Sequence, residues 1–341
     1  MTLYVWKYEK CKYYYRLSNT LRVIKKIIKL INGNNKVDIR RKFRRFFMSY
    51  SITPNRLINK QIKLLKQSFS SYPIPFARVI HIETRSRCNS TCSFCMANYN
   101  DDPREDLLME DNLVYKILDE LKEIDYKNRI SFYNNNEPFL DKRINKFITI
   151  ARKATPQAYL ELKSNGRGLT MEKIIEIFSS GLDTLYINDY TDTINHSKSV
   201  NKIIDELKSI RRFKGHMISR TGEYYNRIII EKRNLTENLG TRAGTAPNAK
   251  IMSSALNAAC FRPFEMMTKS PEGYVAVCSE DFYYSIKMGD VNNEKLFDIW
   301  NSKKYQKVRK ELIQGNRIAH NACSKCDYKG FTYEMFNEYG L

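Results

Sequence analysis

Three cysteines in one polar loop are the residues of this chain best suited to chemistry. Cys88, Cys92 and Cys95 are spaced four and three residues apart, directly after the apolar run Val79–Ile82. Thiolates at this spacing suit a soft metal or an iron–sulfur cluster. A structural zinc site usually takes four ligands as two pairs, and His81, inside the predicted strand, is the other donor nearby. In a [4Fe–4S] cluster, three cysteines would leave one iron open to a further ligand.

A second group of four cysteines lies towards the end of the chain. Cys260 opens a hairpin-like stretch with a predicted turn at 270–273, Cys278 ends the return strand, and Cys323 and Cys326 form a C-x2-C pair. Four thiolates are enough to fill one iron–sulfur cluster or one zinc ion. Taken alone, a hairpin followed by C-x2-C favours zinc.

The composition is that of a globular protein without a transmembrane helix or a signal peptide. The 341 residues contain no run of 18 apolar residues, and the N-terminus lacks an apolar signal core. Eight cysteines without a secretion signal indicate a reducing compartment and metal ligation rather than disulfides. We therefore predict a cytoplasmic protein of one large and one smaller domain.

The positive charge is concentrated at the N-terminus. Residues 1–70 hold 18 lysines and arginines against two acidic residues, so they carry +16 of the net charge of +21. Residues 20–31 have an apolar face and a basic face at helical spacing, which suits docking on the main domain or on an anionic membrane surface. Residues 40–47 interleave cations with aromatics, as nucleic-acid-binding segments do, and this is the less favoured partner.

Strands and helices alternate between residues 78 and 231, which predicts an α/β fold with a parallel sheet. Active sites of such folds lie at the carboxyl ends of the strands, where the first cysteine loop falls. We predict strands over 78–84, 129–133, 159–163, 182–187 and 227–231, helices over 109–124, 142–153, 171–178 and 199–212, and a later helix from Leu296 through Leu312.

The motif C-x3-C-x2-C, with Phe94 before its third cysteine, resembles the signature of the radical S-adenosylmethionine (SAM) superfamily. The resemblance implies a partial (β/α)6 barrel and a [4Fe–4S] cluster on Cys88, Cys92 and Cys95 whose open iron binds SAM. It also implies reductive cleavage of SAM to a 5′-deoxyadenosyl radical, with electrons from a flavodoxin- or ferredoxin-type donor. Phe94 is expected among the SAM-binding residues.

Other strand ends resemble further SAM-binding segments of that family. Asn135, Asn136 and Glu137 stand where the family has Gly-Gly-Glu-Pro, with asparagines in place of two glycines. Glu137 would supply a counter-charge for the SAM ammonium, although a plain strand-to-helix turn explains it as well. The candidates for binding the SAM carboxylate, the ribose or the substrate, each also explicable as an ordinary loop residue, are Ser164, Asn165, Asn188 and Arg242.

In company with the first motif, the second cysteine group is similar to the SPASM/twitch extension of radical SAM enzymes. This chain has too few cysteines for the version with two auxiliary clusters, so the resemblance implies one fully ligated auxiliary [4Fe–4S] cluster. We therefore expect a basic helical extension over 1–75, a partial barrel over 76–255, and a β-hairpin and helix domain with the auxiliary cluster over 256–341.

The predicted reaction is a two-electron oxidation of a substrate C–H group, with the auxiliary cluster accepting an electron and Asp189 or Glu231 accepting a proton. The favoured substrate is a carbohydrate or other polyol, because no strand pattern of a peptide-clasping domain precedes the barrel. A peptide- or protein-modifying maturase is the alternative within the family. A nucleic-acid- or membrane-binding protein with structural zinc sites is the alternative outside it.

Overall fold

The computed structural model describes residues 74–209, 227–250 and 252–330, together with residue 63 alone. The predicted basic helix at 20–31, the cation–aromatic segment at 40–47 and Cys11 lie outside these residues. No helix in the part of the chain that is described combines the length and the apolar character needed to cross a membrane.

Strands and helices alternate along the first part of the chain, as the sequence predicts. The strands are β1 (Val79–Ile82), β2 (Arg129–Ser131), β3 (Tyr159–Ser164), β4 (Thr184–Tyr190), β5 (Arg227–Arg233), β6 (Met266–Lys269), β7 (Tyr274–Ala276) and β8 (Lys287–Asp290). The helices are α1 (Asp111–Glu123), α2 (Ile144–Ala154), α3 (Met171–Ser179), α4 (Lys198–Ser209), α5 (Leu296–Asn301), α6 (Lys303–Ile313) and α7 (Asn321–Ser324).

Within the described residues, the strands form one sheet in the order β5-β4-β3-β2-β1-β6-β7-β8. The first six of these strands are mutually parallel, and β7 and β8 extend the sheet as an antiparallel hairpin. Six parallel strands with crossover helices are the arrangement of a partial (β/α)6 barrel, so the predicted fold class is confirmed.

The sixth parallel strand lies in an unexpected part of the sequence. We predicted a hairpin in a separate domain after residue 256, but β6 pairs with β1 along its whole length, from Val79 opposite Met266 to Ile82 opposite Lys269. The turn at 270–273 then leads into β7, with the Gly273 N–H donating to the Ser270 carbonyl at 3.0 Å. β6 therefore belongs to the parallel sheet and to the hairpin at once.

The helix predicted from Leu296 through Leu312 is two helices. Ser302 has an extended backbone, with ψ of 151°, which ends α5. Its hydroxyl then accepts a hydrogen bond from the Tyr305 N–H and caps the start of α6. A serine inside a helical pattern thus acts as a cap.

The register gives the sheet two chemically different faces, because residues opposite each other on neighbouring strands share a face. One face is apolar and is covered by helices; it includes Ile80, Ile130, Leu160, Leu162, Leu185, Ile187, Ile228 and Ile230. The other face, hereafter the inner face, is mostly polar; it includes His81, Ser131, Glu161, Lys163, Thr184, Tyr186, Asn188, Tyr190, Glu231 and Arg233.

Candidate functional site

The first cysteine loop follows β1 and is fastened to the far side of the parallel sheet. The Ser93 N–H and hydroxyl both donate to the Leu235 carbonyl, at 3.0 and 3.1 Å, just after β5. The Phe94 ring lies 5.3 Å from the Tyr190 ring at the end of β4, on the inner face. The loop therefore spans the carboxyl ends of the strands, where this fold class has its active sites.

The thiols of this loop are held in a partly buried setting. Burial raises the pKa of Cys92 to about 11, while the Ser90 hydroxyl, 3.2 Å from the Cys92 sulfur, opposes that rise. Burial likewise raises the pKa of Cys88 to about 12 and that of Cys95 above its ordinary value. Neighbouring groups alone do not hold these sulfurs as thiolates, and a metal bound there would do so.

Glu137 connects the second strand end to the cysteine loop through the backbone after β3. Its buried carboxylate accepts from the Asn165 N–H at 2.7 Å and from the Phe139 N–H at 3.2 Å. The Asn165 amide in turn donates to the Asn89 side chain at 2.8 Å and reaches the Cys88 sulfur at 3.5 Å. Burial raises the pKa of Glu137 to about 7, against the effect of the two N–H donors. Glu137 therefore positions the turn beside Cys88.

Within the part of the chain that the structure describes, the two asparagines in place of glycines leave buried amide donors without partners. Arg242 donates to the side-chain oxygen of Asn135 at 2.6 Å, so the Asn135 Nδ2 is left as a donor. The Asn136 side-chain oxygen accepts from the Asn134 N–H, and the Asn136 Nδ2 has no partner either. Unpartnered buried donors are costly unless a ligand or water satisfies them. Beside the cysteine loop, they fit a ligand rich in acceptor atoms, such as SAM.

Two further strand-end residues predicted from the sequence occupy different positions. Ser164 lies on the helix-covered face, opposite Ile187, and its hydroxyl accepts from the Gly166 N–H at 3.0 Å. Gly166 has a φ of +77°, and a Cβ there would lie 2.8 Å from Ile187, so this turn requires glycine. Asn188 lies on the inner face, opposite Glu231. Ser164 thus shapes the turn, while the Asn188 side chain is directed to the inner face.

The two candidate proton acceptors also fall on opposite faces. Asp189 faces the helices, where its carboxylate accepts from the Ser197 N–H at 2.9 Å and lies 2.7 Å from the His196 Nδ1. Glu231 lies on the inner face, where 49% of its side chain is exposed and Arg233 is 3.7 Å away. The structure therefore brings Glu231, and not Asp189, to the cysteine-loop side of the sheet, because neighbouring strand residues point in opposite directions.

The four described cysteines outside the first loop line one pocket between the hairpin and the C-terminal helices. Burial raises the pKa of Cys278 well above its ordinary value, and the other three thiols raise it further. No three donor side chains of the described residues meet as they would around a single ion. The four cysteines nevertheless line one pocket, and an all-sulfur set of four donors fits an iron–sulfur cluster. Its ligands would be Cys260, Cys278, Cys323 and Cys326.

A buried polar network that the sequence did not reveal joins the two cysteine sites. Glu83, directly after β1, pairs with Arg104 at 2.8 Å and accepts from the Tyr284 hydroxyl at 2.9 Å. Arg104 also donates to the Asn135 carbonyl at 2.9 Å and lies over the Phe282 ring. The sequence offers one signal for this network, which is a carboxylate directly after a buried strand. Its partner Tyr284 lies 201 residues further along the chain, so the contact between them leaves no local pattern. This network links the Asn135 segment to the loop after Cys278.

Comparisons with known proteins agree with this architecture. Residues 260–327 match the model of the SPASM family, an iron–sulfur cluster-binding domain. The chain is 26% identical over 264 residues, which are 77% of this chain and 98% of the relative, to the S-adenosyl-L-methionine-dependent 2-deoxy-scyllo-inosamine dehydrogenase of Niallia circulans.

Solved structures show the same fold. The crystal structure of BtrN in complex with AdoMet and 2-DOIA matches with a TM-score of 0.61 and 23% identity, covering 75% of this chain and 94% of that one. An open conformation of BtrN matches with a TM-score of 0.54 and 21% identity, covering 74% of this chain and 94% of that one.

A partial barrel with a three-cysteine loop at its carboxyl end, followed by a four-cysteine domain, defines the class of protein. The chain is similar to the radical SAM enzymes that carry a C-terminal SPASM domain, and the domain match covers residues 260–327.

Proposed function

We propose that this enzyme is a radical SAM dehydrogenase that oxidises a hydroxyl-bearing carbon of a carbohydrate-like polyol. The observation that carries the proposal is the match of this chain along 98% of the length of a dehydrogenase. When bound, the clusters and SAM would supply a 5′-deoxyadenosyl radical and an acceptor for one substrate electron. The oxidation of one alcohol then removes a hydrogen atom, an electron and a proton.

The residues proposed to hold SAM surround the first cysteine loop. The Asn135 and Asn136 amides offer unpartnered donors to its carboxylate or ribose. Glu137 and Asn165 hold the turn against Cys88, so they would position one side of the proposed SAM-binding site. The other proposed contacts are the Phe94 ring, Ser164 through the shape of its turn, Asn188 and Arg242.

Glu231 is the better of the two proposed proton acceptors. It lies on the inner face and is partly accessible, so a substrate hydroxyl within hydrogen-bond reach could transfer its proton to it. Asp189 already accepts the Ser197 N–H and contacts His196 on the other face. We therefore propose that Asp189 has a structural role and holds the residues that precede α4 in place.

The four-cysteine pocket is proposed to hold one auxiliary cluster of the twitch type. Four thiolates leave no coordination position for substrate, so electron transfer is the function open to it. Arg242 lies between the two sites, because it contacts Asn135 at 2.6 Å and Glu280, two residues after Cys278, at 3.6 Å. Substrate bound beside Arg242 would be close to both groups.

The proposed setting is the reducing cytoplasm, because both sites need reduced cysteines and the seven described ones form no disulfide. A flavodoxin- or ferredoxin-type protein is the proposed electron donor. The basic segment 20–31 suits attachment to an anionic membrane surface, which would leave the enzyme peripheral to the membrane.

The test is anaerobic purification and cluster reconstitution, with iron counted on the wild type, on Cys88→Ala/Cys92→Ala/Cys95→Ala and on Cys278→Ala. We expect about eight irons in the wild type and about four in the triple variant. With dithionite, SAM and 2-deoxy-scyllo-inosamine as the first probe among polyols, the wild type should form 5′-deoxyadenosine and a ketone. Cys278→Ala should form 5′-deoxyadenosine without ketone. Zinc in place of iron, or ketone formation without SAM, would overturn the proposal.

A further inference from the structure

Arg317 is a fully buried cation in the wall of the four-cysteine pocket. It lies in the short turn of helix Arg317–Ala319 after α6, and only 1% of its surface is exposed. It lines the pocket together with the four cysteines. An arginine side chain stays protonated in proteins, so its charge is present at the pocket whatever the pH.

The Arg317 guanidinium is held by backbone carbonyls on both sides of the pocket. Nε donates to the Ala258 carbonyl at 2.9 Å, and Nη1 donates to the Tyr328 carbonyl at 2.6 Å. Longer contacts reach the carbonyls of Ala259 and Cys326, at 3.4 and 3.5 Å. These carbonyls belong to the two segments that carry Cys260 and Cys326, so the charge is fixed beside the sulfurs.

The Asp281 carboxylate in the pocket wall accepts from the neutral N–H groups of Ser285 and Ile286. Arg262, the other arginine of the wall, has an ion-pair partner in Glu280 at 3.4 Å. By contrast, no carboxylate among the described residues lies within ion-pair distance of Arg317, whose hydrogen bonds all go to neutral carbonyls. Buried charges in proteins are normally paired or bound to metal sites, and the described residues supply no anionic partner for Arg317.

We propose that Arg317 is the counter-charge of the auxiliary cluster and raises its reduction potential, so that the cluster can accept the substrate electron; this rests on the proposed function. A cluster bound by four thiolates is anionic, and its reduction by one electron adds one more negative charge. A fixed cation in a water-poor pocket stabilises the more negative state. The electron comes from the substrate radical, whose proton leaves to the acceptor, so charge and atoms balance. Arg317 acts through the cluster and is a positioning residue.

The experiment uses the full chain with Cys88→Ala/Cys92→Ala/Cys95→Ala, so that the auxiliary cluster is the only one titrated. The midpoint potential is measured by EPR-monitored redox titration with Arg317, Arg317→Gln and Arg317→Lys. At the midpoint found with Arg317, we expect Arg317→Gln to lower the ratio of reduced to oxidised cluster about tenfold or more, which corresponds to about 59 mV for a one-electron couple. A smaller fall with four irons retained overturns the proposal.

Arg317→Lys separates charge from anchoring, because lysine keeps the charge and loses the four carbonyl contacts. We expect its reduced-to-oxidised ratio to stay above about one third of the Arg317 value. A lower ratio overturns the proposal, and this comparison decides the matter if Arg317→Gln does not retain its irons.

Arg309→Gln is the matched control. Arg309 is equally buried and donates to the Pro263 carbonyl at 2.9 Å, but it does not line the pocket. Its replacement should lower stability and leave the midpoint unchanged. The proposed function fails separately, if the wild type makes no 5′-deoxyadenosine or ketone; a midpoint shift at Arg317 would still be measured in that case.

Discussion

The two faces of the parallel sheet show how the same strands serve stability and chemistry. On the helix-covered face, aliphatic rows such as Ile80, Ile130 and Leu160 are fully buried. On the inner face, the next row carries His81, Ser131 and Glu161, and the cysteine loop lies over its carboxyl end. Side chains alternate between the two faces along a strand, and this alternation decides what a polar residue can do. On the inner face it can contact a ligand, whereas on the helix face it must find its hydrogen-bond partners within the protein.

Separate substitutions of the two candidate proton acceptors should test the difference between the two faces most sharply. Glu231→Gln, on the inner face, should lower ketone formation by roughly 10³-fold because a general base is lost. Asp189→Asn, on the helix face, should leave the rate per folded molecule near that of the wild type and lower the melting temperature instead. Both are measured by ketone formation with SAM cleavage as an internal reference. Equal losses of rate in both variants would show that the face on which each residue lies does not determine its role in the reaction.

Lys269 also lies on the helix face, opposite Ile82, and its removal should stabilise the protein. Among the described residues its buried amine has no hydrogen-bond partner, and burial lowers its pKa to about 7, against the opposing effect of Glu120. The folded state therefore binds fewer protons than the unfolded state between pH 7 and 10.5, so stability rises with pH across that window. Lys269→Met should raise the free energy of unfolding by about 4 kcal/mol at pH 7.

The gain from Lys269→Met should shrink as the pH rises towards 10.5, because the unfolded state of the wild type begins to lose its proton there. Anaerobic urea unfolding at pH 7 and pH 9.5 measures the difference. Lys116→Met, at a half-exposed lysine of α1, is the control and should give no such pH-dependent gain. A constant or growing gain for Lys269→Met would contradict the explanation.

His81 gives the smallest effect and lies on the inner face. Its Nδ1–H donates to the Tyr133 carbonyl at 3.1 Å, and burial, followed by the charge of Arg129, lowers its pKa to about 3. Below pH 6.5 the unfolded state takes up a proton that the folded state does not, so stability falls with falling pH. His81→Leu should cost about 1 kcal/mol at pH 7.5 through the lost hydrogen bond.

That cost of His81→Leu should diminish towards pH 5, because leucine has no proton to take up in the unfolded state. Anaerobic urea unfolding across this range measures it. A cost that grows towards pH 5 would mean that His81 is protonated within the fold.

Much of the fold was predictable because its signals are local. Strand–helix alternation and the cysteine spacings are read along the chain, and both gave the right class of barrel. The face on which each strand residue lies was not predictable, because register depends on the partner strands. Ser164 and Asp189 look as suitable for ligand binding as Asn188 until the pairing of β4 is known. Contacts across long separations, such as Glu83 with Tyr284, leave no pattern in one sequence.

β6 belongs both to the parallel sheet and to the C-terminal hairpin, and this restricts how the barrel and the cluster domain could have been combined during evolution. The strand lies inside the match to the iron–sulfur domain, yet it also covers the edge of β1. A chain cut before Cys260 would expose the hydrogen-bonding groups of β1, and an open edge of that kind invites pairing with other chains. The barrel and the cluster domain therefore form one folding unit, and exchange of the C-terminal domain between relatives would have to carry the sixth strand with it.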